Sequence, residues 1–271
     1  MRNHYYEPQF DMRGVKRRFD EPRPLPGIDL NVEEQLQTCR RMEFGGELAD
    51  LPQEQPQDPG YYLNNTTFGS GDAEFWYQLI RLVKPRRIIE IGSGNSTLMA
   101  MRAISRNGAE DPDYQCEHTC IEPYEMPWLE GTGVTILRQK VESLDVSFFE
   151  ELSENDILFI DSSHMIRPEG DVLFEYQEIL PMLKPGVIVH IHDIFTPRNY
   201  PASWLATEMR LWNEQYLLEA FLCQNSDWRV LGALNFLQNE HHEALKSVCP
   251  YLTRDRQPAS FYIQRAPAPQ P

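Results

Sequence analysis

Between residues 72 and 265 the apolar positions follow two rhythms in turn. Short, nearly continuous apolar runs bounded by acids or glycines read as buried strands, and stretches with apolar residues three and four apart read as helices. Asp72 can cap a helix carrying Phe75, Trp76, Leu79, Ile80 and Val83, which stops at Pro85. A strand is expected at Arg87–Ile91, then a helix from Ser96 to Ser105 and a polar loop over 107–117. Further strands are expected at His118–Glu122, Val134–Leu137 and Asp156–Asp161. Val172, Leu173, Tyr176, Ile179, Leu180 and Leu183 mark a helix ended by Lys184-Pro185-Gly186, and Val187–His192 is a fifth strand. Leu205, Met209, Trp212, Tyr216 and Ala220 predict one long amphipathic helix, followed by strands at Trp228–Phe236 and Ser260–Gln264.

Alternating strands and helices imply an α/β fold with a doubly wound sheet and right-handed crossovers. Residues 1–60 are interrupted by prolines and read as an extension, residues 61–265 as the domain, and residues 266–271 (Ala, Pro and Gln) as a disordered tail.

Ligands of such sheets bind beyond the carboxyl ends of the strands. The chain can be tested against that rule, because Glu90, Glu122, Asp161 and Asp193 each stand at or near the end of an expected strand. Carboxylates are costly to gather unless a ligand or cation uses them. The turn after the first strand, Gly92-Ser93-Gly94, lets backbone approach a ligand, and the following helix points its N–H groups into the same space. A dinucleotide fingerprint would place a third glycine where Thr97 stands, so a nicotinamide dinucleotide fits poorly. An acid near the strand end suits a cofactor that carries a cation and a ribose, and Glu122 is placed to accept from ribose hydroxyls. Asp161-Ser162-Ser163-His164 sets a histidine three residues after a strand-end acid, a position suited to a general base. Strand alternation sends His190 and His192 to one face and Ile191 to the other, with His190 read as a hydrogen-bonded core residue. Asp193 lies near Asp161 if the two strands are neighbours, and such a pair can hold a hard divalent ion through oxygen.

Composition narrows the partners. Lys+Arg 25 against Asp+Glu 41 gives a net charge of -16, which argues against nucleic acid. No apolar segment approaches the length of a membrane span, and the first residues lack the apolar stretch of a signal peptide, so a cytoplasmic location is expected. The 5 cysteines are odd in number and irregular in spacing, which speaks against a disulfide scaffold. Cys116, His118 and Cys120 resemble half of a zinc site, but no second pair follows.

The segments EIGSGNST, CIEPY, DILFIDSSH and LPMLKPGVIVHIHDIFTP, in this order, resemble class I S-adenosylmethionine-dependent methyltransferases. More narrowly they are similar to the methyltransferase-domain-24 type, whose relatives include metal-dependent sugar O-methyltransferases of macrolide biosynthesis. The resemblance covers about Tyr61 to Arg265 and implies a Rossmann-like seven-stranded sheet with its last strand pair antiparallel. It implies S-adenosylmethionine as cofactor, bound by Glu90, Gly92, Gly94, Asn95, Ser96, Glu122 and Asp161, with the adenine near Gln139-Lys140-Val141. His164 matches the family's base, and Asp161 and Asp193 match two of its magnesium ligands; a third carboxylate finds no match in the chain. The implied reaction is O-methylation of a small molecule such as a sugar or secondary metabolite, without nucleic-acid or membrane partners and with homo-oligomerisation open. Metal-free transfer to nitrogen or carbon, and non-catalytic binding of the cofactor, are the alternatives.

Overall fold

A computed structural model describes residues 12–124 and 126–267, so residues 1–11 and most of the expected tail, 268–271, lie outside the described residues. Helix α1 (Val32–Arg41) is followed by α2 (Asp72–Val83), β1 (Arg87–Ile91) and α3 (Asn95–Glu110). Strands β2 (Glu117–Ile121), β3 (Thr135–Leu137) and β4 (Ile157–Ile160) come next. A single helical rod follows: α4 (Asp171–Phe174), a π-helical segment (Glu175–Ile179) and α5 (Leu180–Met182). The chain closes with β5 (Ile188–Ile191), α6 (Ala202–Ala206), α7 (Glu214–Leu222), β6 (Trp228–Ala233), α8 (Leu234–Glu240), α9 (His242–Val248) and β7 (Phe261–Arg265).

The seven strands form one sheet in the order β3-β2-β1-β4-β5-β7-β6. β1 to β5 pair in parallel, and β7 runs antiparallel to both β5 and β6. The order reverses between β1 and β4, which opens a crevice beyond their carboxyl ends.

Strand alternation builds two cores. Ile88, Ile157, Phe159 and Ile188 face α2 and α3, packing on Trp76, Leu79, Met99 and Ala103. Ile89, Ile91, Leu158, Ile160, Val189 and Ile191 face the other way, onto Val172, Ile179, Leu218 and Leu222. Among the described residues, no helix is long and apolar enough to cross a membrane.

Four expectations need correction. Asp72 is the first residue of α2 rather than its cap; its Oδ1 accepts from the N–H groups of Ala259 and Ser260 at 2.9 and 2.7 Å, tying α2 to the start of β7. α3 runs on to Glu110 because Asn107, expected in a loop, is buried and donates to the Ile80 carbonyl. The long helix over 205–220 is two helices. Residues 207–213 are not helical, Met209 has φ 56, and the periodic aromatics pack on one another instead: Trp204 and Trp212 stand 5.2 Å apart with the Arg210 guanidinium over both rings. The strand from Trp228 ends at Ala233, after which Leu234 and Leu237 turn inward on α8.

The segment before α1 lies along the loop after β5. Arg23 N donates to Pro197 O and Asn199 N to Phe19 O, while Arg198 Nε donates to Asp20 O. The Arg23 guanidinium pairs with Glu219 of α7, and Phe19 packs with Phe195, Tyr200 and Trp204.

Candidate active site

Of the four expected strand-end acids, Glu122, Asp161 and Asp193 fall on one edge of the sheet. Ladder bonds continue one residue past the strands: Glu122 N donates to Leu137 O, Gly92 N to Ile121 O, Asp161 N to Ile91 O, and His192 N to Ile160 O. Glu122, Gly92, Asp161 and His192 therefore stand side by side, with Asp193 next in the chain. Gly92 has φ 83, and a Cβ built on it would lie 2.2 Å from the Asp161 carbonyl oxygen. No other residue type satisfies both conditions, so this glycine brings β1 and β4 together at the crevice.

Glu90 does not reach the rim. It lies within β1 on the face covered by α2 and α3 and has no exposed surface. Its Oε2 accepts from Ser96 Oγ at 2.8 Å and Thr97 Oγ1 at 2.9 Å, and its Oε1 stands 2.5 Å from His118 Nε2. Thr97 Oγ1 in turn accepts from Gly94 N at 3.1 Å. Glu90, Ser96 and Thr97 thus buttress the glycine turn from beneath. That explains the threonine where a dinucleotide fold would carry glycine, and it absorbs His118 of the cysteine–histidine cluster.

Two cavities flank the turn. The first, of about 310 Å³, is lined by Gly94, Asn95, Leu98, Met126 and Trp128 under residues 55–60. The second, of about 910 Å³, holds Asp72, Asp161, His164, His192 and Asp193, with Trp204, Arg210, Trp212 and Arg256 among its walls. Asn95 Nδ2 donates to Thr67 Oγ1 at 2.9 Å, joining the wall of one cavity to the wall of the other. Glu122 and Gln139–Val141 line neither cavity. The Glu122 Oε1 accepts from Tyr124 N at 3.1 Å.

His164 is the centre of the larger cavity. It is 4% exposed and adopts φ 58; Asp193 has φ 57, so two side chains with a Cβ sit in left-handed conformations at the same site. His164 Nε2 lies 3.3 Å from Asp161 Oδ1 and 3.5 Å from Asp193 Oδ2, while Nδ1 lies 2.7 Å from Glu214 Oε2. Tyr176, on the π-helical segment, donates to the other Glu214 oxygen at 3.1 Å. Trp212 packs on the imidazole at 4.3 Å between centroids. The Asn213 and Glu214 N–H groups donate to the His164 carbonyl, fixing the start of α7 to the His164 turn. His190, as expected, is a core residue, bonded to Ser260 Oγ at 2.8 Å.

Charge in this cavity is strongly coupled. Burial alone would raise the Asp161 carboxyl, but His192 and His164 beside it hold it well below the usual range. Burial pushes the His164 imidazole down, yet its bonds to Asp161 and Glu214 override this and raise it well above the ordinary value. His192 is likewise raised to about 10, against its burial, by Asp193, Asp161 and Asp72. Asp193 is raised, chiefly by burial. Four carboxyl groups, Asp72, Asp161, Asp193 and Glu214, thus surround two imidazoles, and contacts with them raise the pKa of both rings.

Sequence reasoning missed Glu214, Tyr176 and His192 as site residues. Glu214 reads as an ordinary acid opening a helix; nothing local shows that it is fully buried against a histidine 50 positions away.

Residues 89–194 match a family model described as a methyltransferase domain. The chain thus resembles that domain from β1 to just past β5. It also belongs to one family with an uncharacterized protein of Archaeoglobus fulgidus, to which it is 36% identical over 171 residues, covering 57% of this chain and 74% of that protein. Solved structures are more distant. MycE, a methyltransferase of the mycinamycin biosynthetic pathway in complex with Mg and SAH, aligns at TM-score 0.36 and 13% identity over 70% of this chain. That alignment spans about half of the MycE chain, 48%. The mitomycin 7-O-methyltransferase MmcR aligns at TM-score 0.38 and 17% identity, over 71% of this chain and 57% of MmcR. Within the matched domain, the glycine turn, Glu122, Asp161, His164 and Asp193 all lie inside the span of the family model.

Proposed function

We propose that this protein transfers a methyl group from S-adenosylmethionine to a hydroxyl of a small molecule, with His164 as the base. The observation that carries the reading is the placement of the His164 Nε2 within 3.3 Å of Asp161, itself packed against the glycine turn of the methyltransferase domain.

Gly92, Gly94 and Asn95 would hold the methionine portion of the cofactor, with Glu90 and Ser96 supporting the turn from below. Glu122 and Asp161 supply negative charge for a sulfonium nucleoside, which fits an acidic rim better than a pyrophosphate does. The sulfonium makes the methyl carbon electrophilic. The protein must then align the acceptor oxygen with the S–CH₃ bond, exclude water and take up one proton. The Asn64–Ser70 loop, Phe195, Trp204 and Trp212 would enclose the acceptor.

His164 raises a difficulty of its own: its bonds to Asp161 and Glu214 favour the protonated ring, and a protonated imidazole cannot accept a proton. Asp161 and Asp193, just past the ends of the neighbouring strands β4 and β5, are suited to a divalent ion. The chemistry such an ion supplies is positive charge, which stabilises an alkoxide and draws the His164 pKa back toward neutrality. Nε2 would take the acceptor's proton while Glu214 steadies Nδ1–H.

Calorimetry with S-adenosylhomocysteine against NAD tests the cofactor; binding of NAD alone overturns the assignment. Turnover of S-adenosylmethionine on a panel of hydroxylated small molecules, with and without EDTA, tests the reaction. Full activity after EDTA treatment, without added metal, makes the two aspartates structural and favours transfer to nitrogen or carbon.

A further inference from the structure

We propose that His192 is the third ligand of a divalent-cation site with Asp161 and Asp193, and that this mixed nitrogen–oxygen set selects a transition-series ion that accepts imidazole, such as Mn²⁺, Co²⁺ or Zn²⁺, over Mg²⁺. The inference rests on reading the aspartate pair as a cation holder, and departs from the all-carboxylate magnesium site that the sequence resemblance implied.

His192 is 5% exposed, and its Nδ1 has no hydrogen-bond partner. A buried polar nitrogen near acids but without a well-aligned hydrogen bond costs up to about 1–3 kcal/mol and calls for a reason. The nitrogen is aimed at the two acids: it lies 3.4 Å from Asp161 Oδ1 and 3.8 Å from Asp193 Oδ1. The three donor atoms all lie within 4.8 Å of one another. Metal–ligand bonds of about 2.0–2.2 Å put neighbouring donors roughly 3–3.5 Å apart, so only a small contraction is needed.

The rest of the ring is arranged as metal-bound imidazoles commonly are. Nε2 faces Asp72 Oδ2 at 4.0 Å, and the other Asp72 oxygen is fixed by the Ala259 and Ser260 N–H groups. At 4.0 Å this is an ion-pair distance and no hydrogen bond, but the negative charge behind the ring still strengthens the imidazole as a ligand. Phe68 packs on the ring at 5.2 Å and Phe159 stacks at 6.5 Å, so its direction is set by the core. His164 is arranged differently. Its Nδ1 is engaged by Glu214, and it lies outside the three-donor group, which leaves it for the proton. Imidazole is a poor partner for Mg²⁺, which demands oxygen ligands, whereas Mn²⁺, Co²⁺ and Zn²⁺ accept it.

The competing arrangement is a plain ion pair, with a protonated His192 neutralising the acids. Metal binding separates the two without cofactor or acceptor, so the outcome is independent of whether methyl transfer occurs. The full chain, stripped with EDTA, is loaded with Mn²⁺ and examined by electron spin-echo spectroscopy. A directly bound ¹⁴N signal is expected, retained in His164→Gln and lost in His192→Gln, whose Mn²⁺ affinity should fall at least about 100-fold. Mn²⁺ should also compete out Mg²⁺ in the wild type. Mn²⁺ bound without the nitrogen signal, or equal affinity in His192→Gln, overturns the ligand while leaving the aspartate pair as a cation site. No uptake of any divalent ion overturns both. The wild-type signal needs no variant, so misfolding of His192→Gln would not shelter the proposal.

Discussion

Oε2 of Glu214 stands 2.7 Å from Nδ1 of His164, so the imidazole is obliged to turn Nε2 toward Asp161 and Asp193. The two residues come from the loop after β4 and the start of α7. If Glu214 fixes the tautomer and orientation, Glu214→Gln should lower kcat by about 10²–10⁴-fold with KM and S-adenosylhomocysteine affinity little changed. Glu214→Asp should recover part of the loss. An equal effect on kcat and on cofactor binding would mean that Glu214 only holds α7 in place.

Removing the base itself should leave the cofactor site intact. His164→Ala is expected to lose about 10²–10⁴-fold in turnover, with nearly unchanged calorimetric affinity for S-adenosylhomocysteine. Because the substitution strands a buried Glu214 charge, a destabilisation of about 3–5 kcal/mol should accompany it. His164→Gln, which can still bond to Glu214, separates the catalytic loss from the structural one. Unchanged turnover in both variants removes His164 from the mechanism.

Gly92→Ala should be severe for a different reason. The added Cβ meets the Asp161 carbonyl oxygen at 2.2 Å, at a φ of 83 that disfavours any side chain. Strain and overpacking together predict a loss of about 3 kcal/mol or more by urea unfolding, along with weakened cofactor binding. A stability within about 0.5 kcal/mol of wild type would show that β1 and β4 do not approach so closely.

Glu175 provides a pH test away from the proposed ligands. It is fully buried on the π-helical segment, with Oε2 accepting from Ser162 Oγ at 3.1 Å and Oε1 without a partner. Burial, then Glu214 and Asp171, hold its carboxyl well above the usual 4.5. The folded state therefore keeps a proton that the unfolded chain releases. Stability from this group is full below about pH 4.5 and is lost as pH rises toward the folded pKa, at about 1.4 kcal/mol per pH unit within that window. Glu175→Gln cannot ionise, so its stability should fall less steeply as pH rises above the ordinary carboxyl range, measured by thermal unfolding. A wild-type slope in the variant would refute a neutral Glu175.

Much of the architecture is legible because strand burial and strand-end chemistry are local. The DILFID run gives β4 and Asp161, and IGSG gives the turn, each from a few adjacent residues. Asp161 and Asp193 become neighbours once β4 and β5 pair, which the alternation already implied. What escaped was set by distant packing. The spacing of Leu205, Met209, Trp212 and Tyr216 is helical, but Trp204 and Trp212 clasp Arg210 and interrupt the helix. Glu90 has the spacing of a ligand-facing acid, yet strand parity and His118, on the neighbouring strand, place it beneath α3. His192 was assigned a face correctly, but its significance depends on a nitrogen without a hydrogen bond, aimed at two acids, which no sequence displays.

The segment around Phe19–Arg23, clamped to the loop after β5 and to Glu219, gives that loop a foundation supplied by the opposite end of the chain. The wall carrying Phe195 and Trp204 can therefore be reshaped by changes far upstream of the sheet. On the proposed reading, substitutions in residues 19–23 alter acceptor selectivity while leaving the strand-end residues as they are.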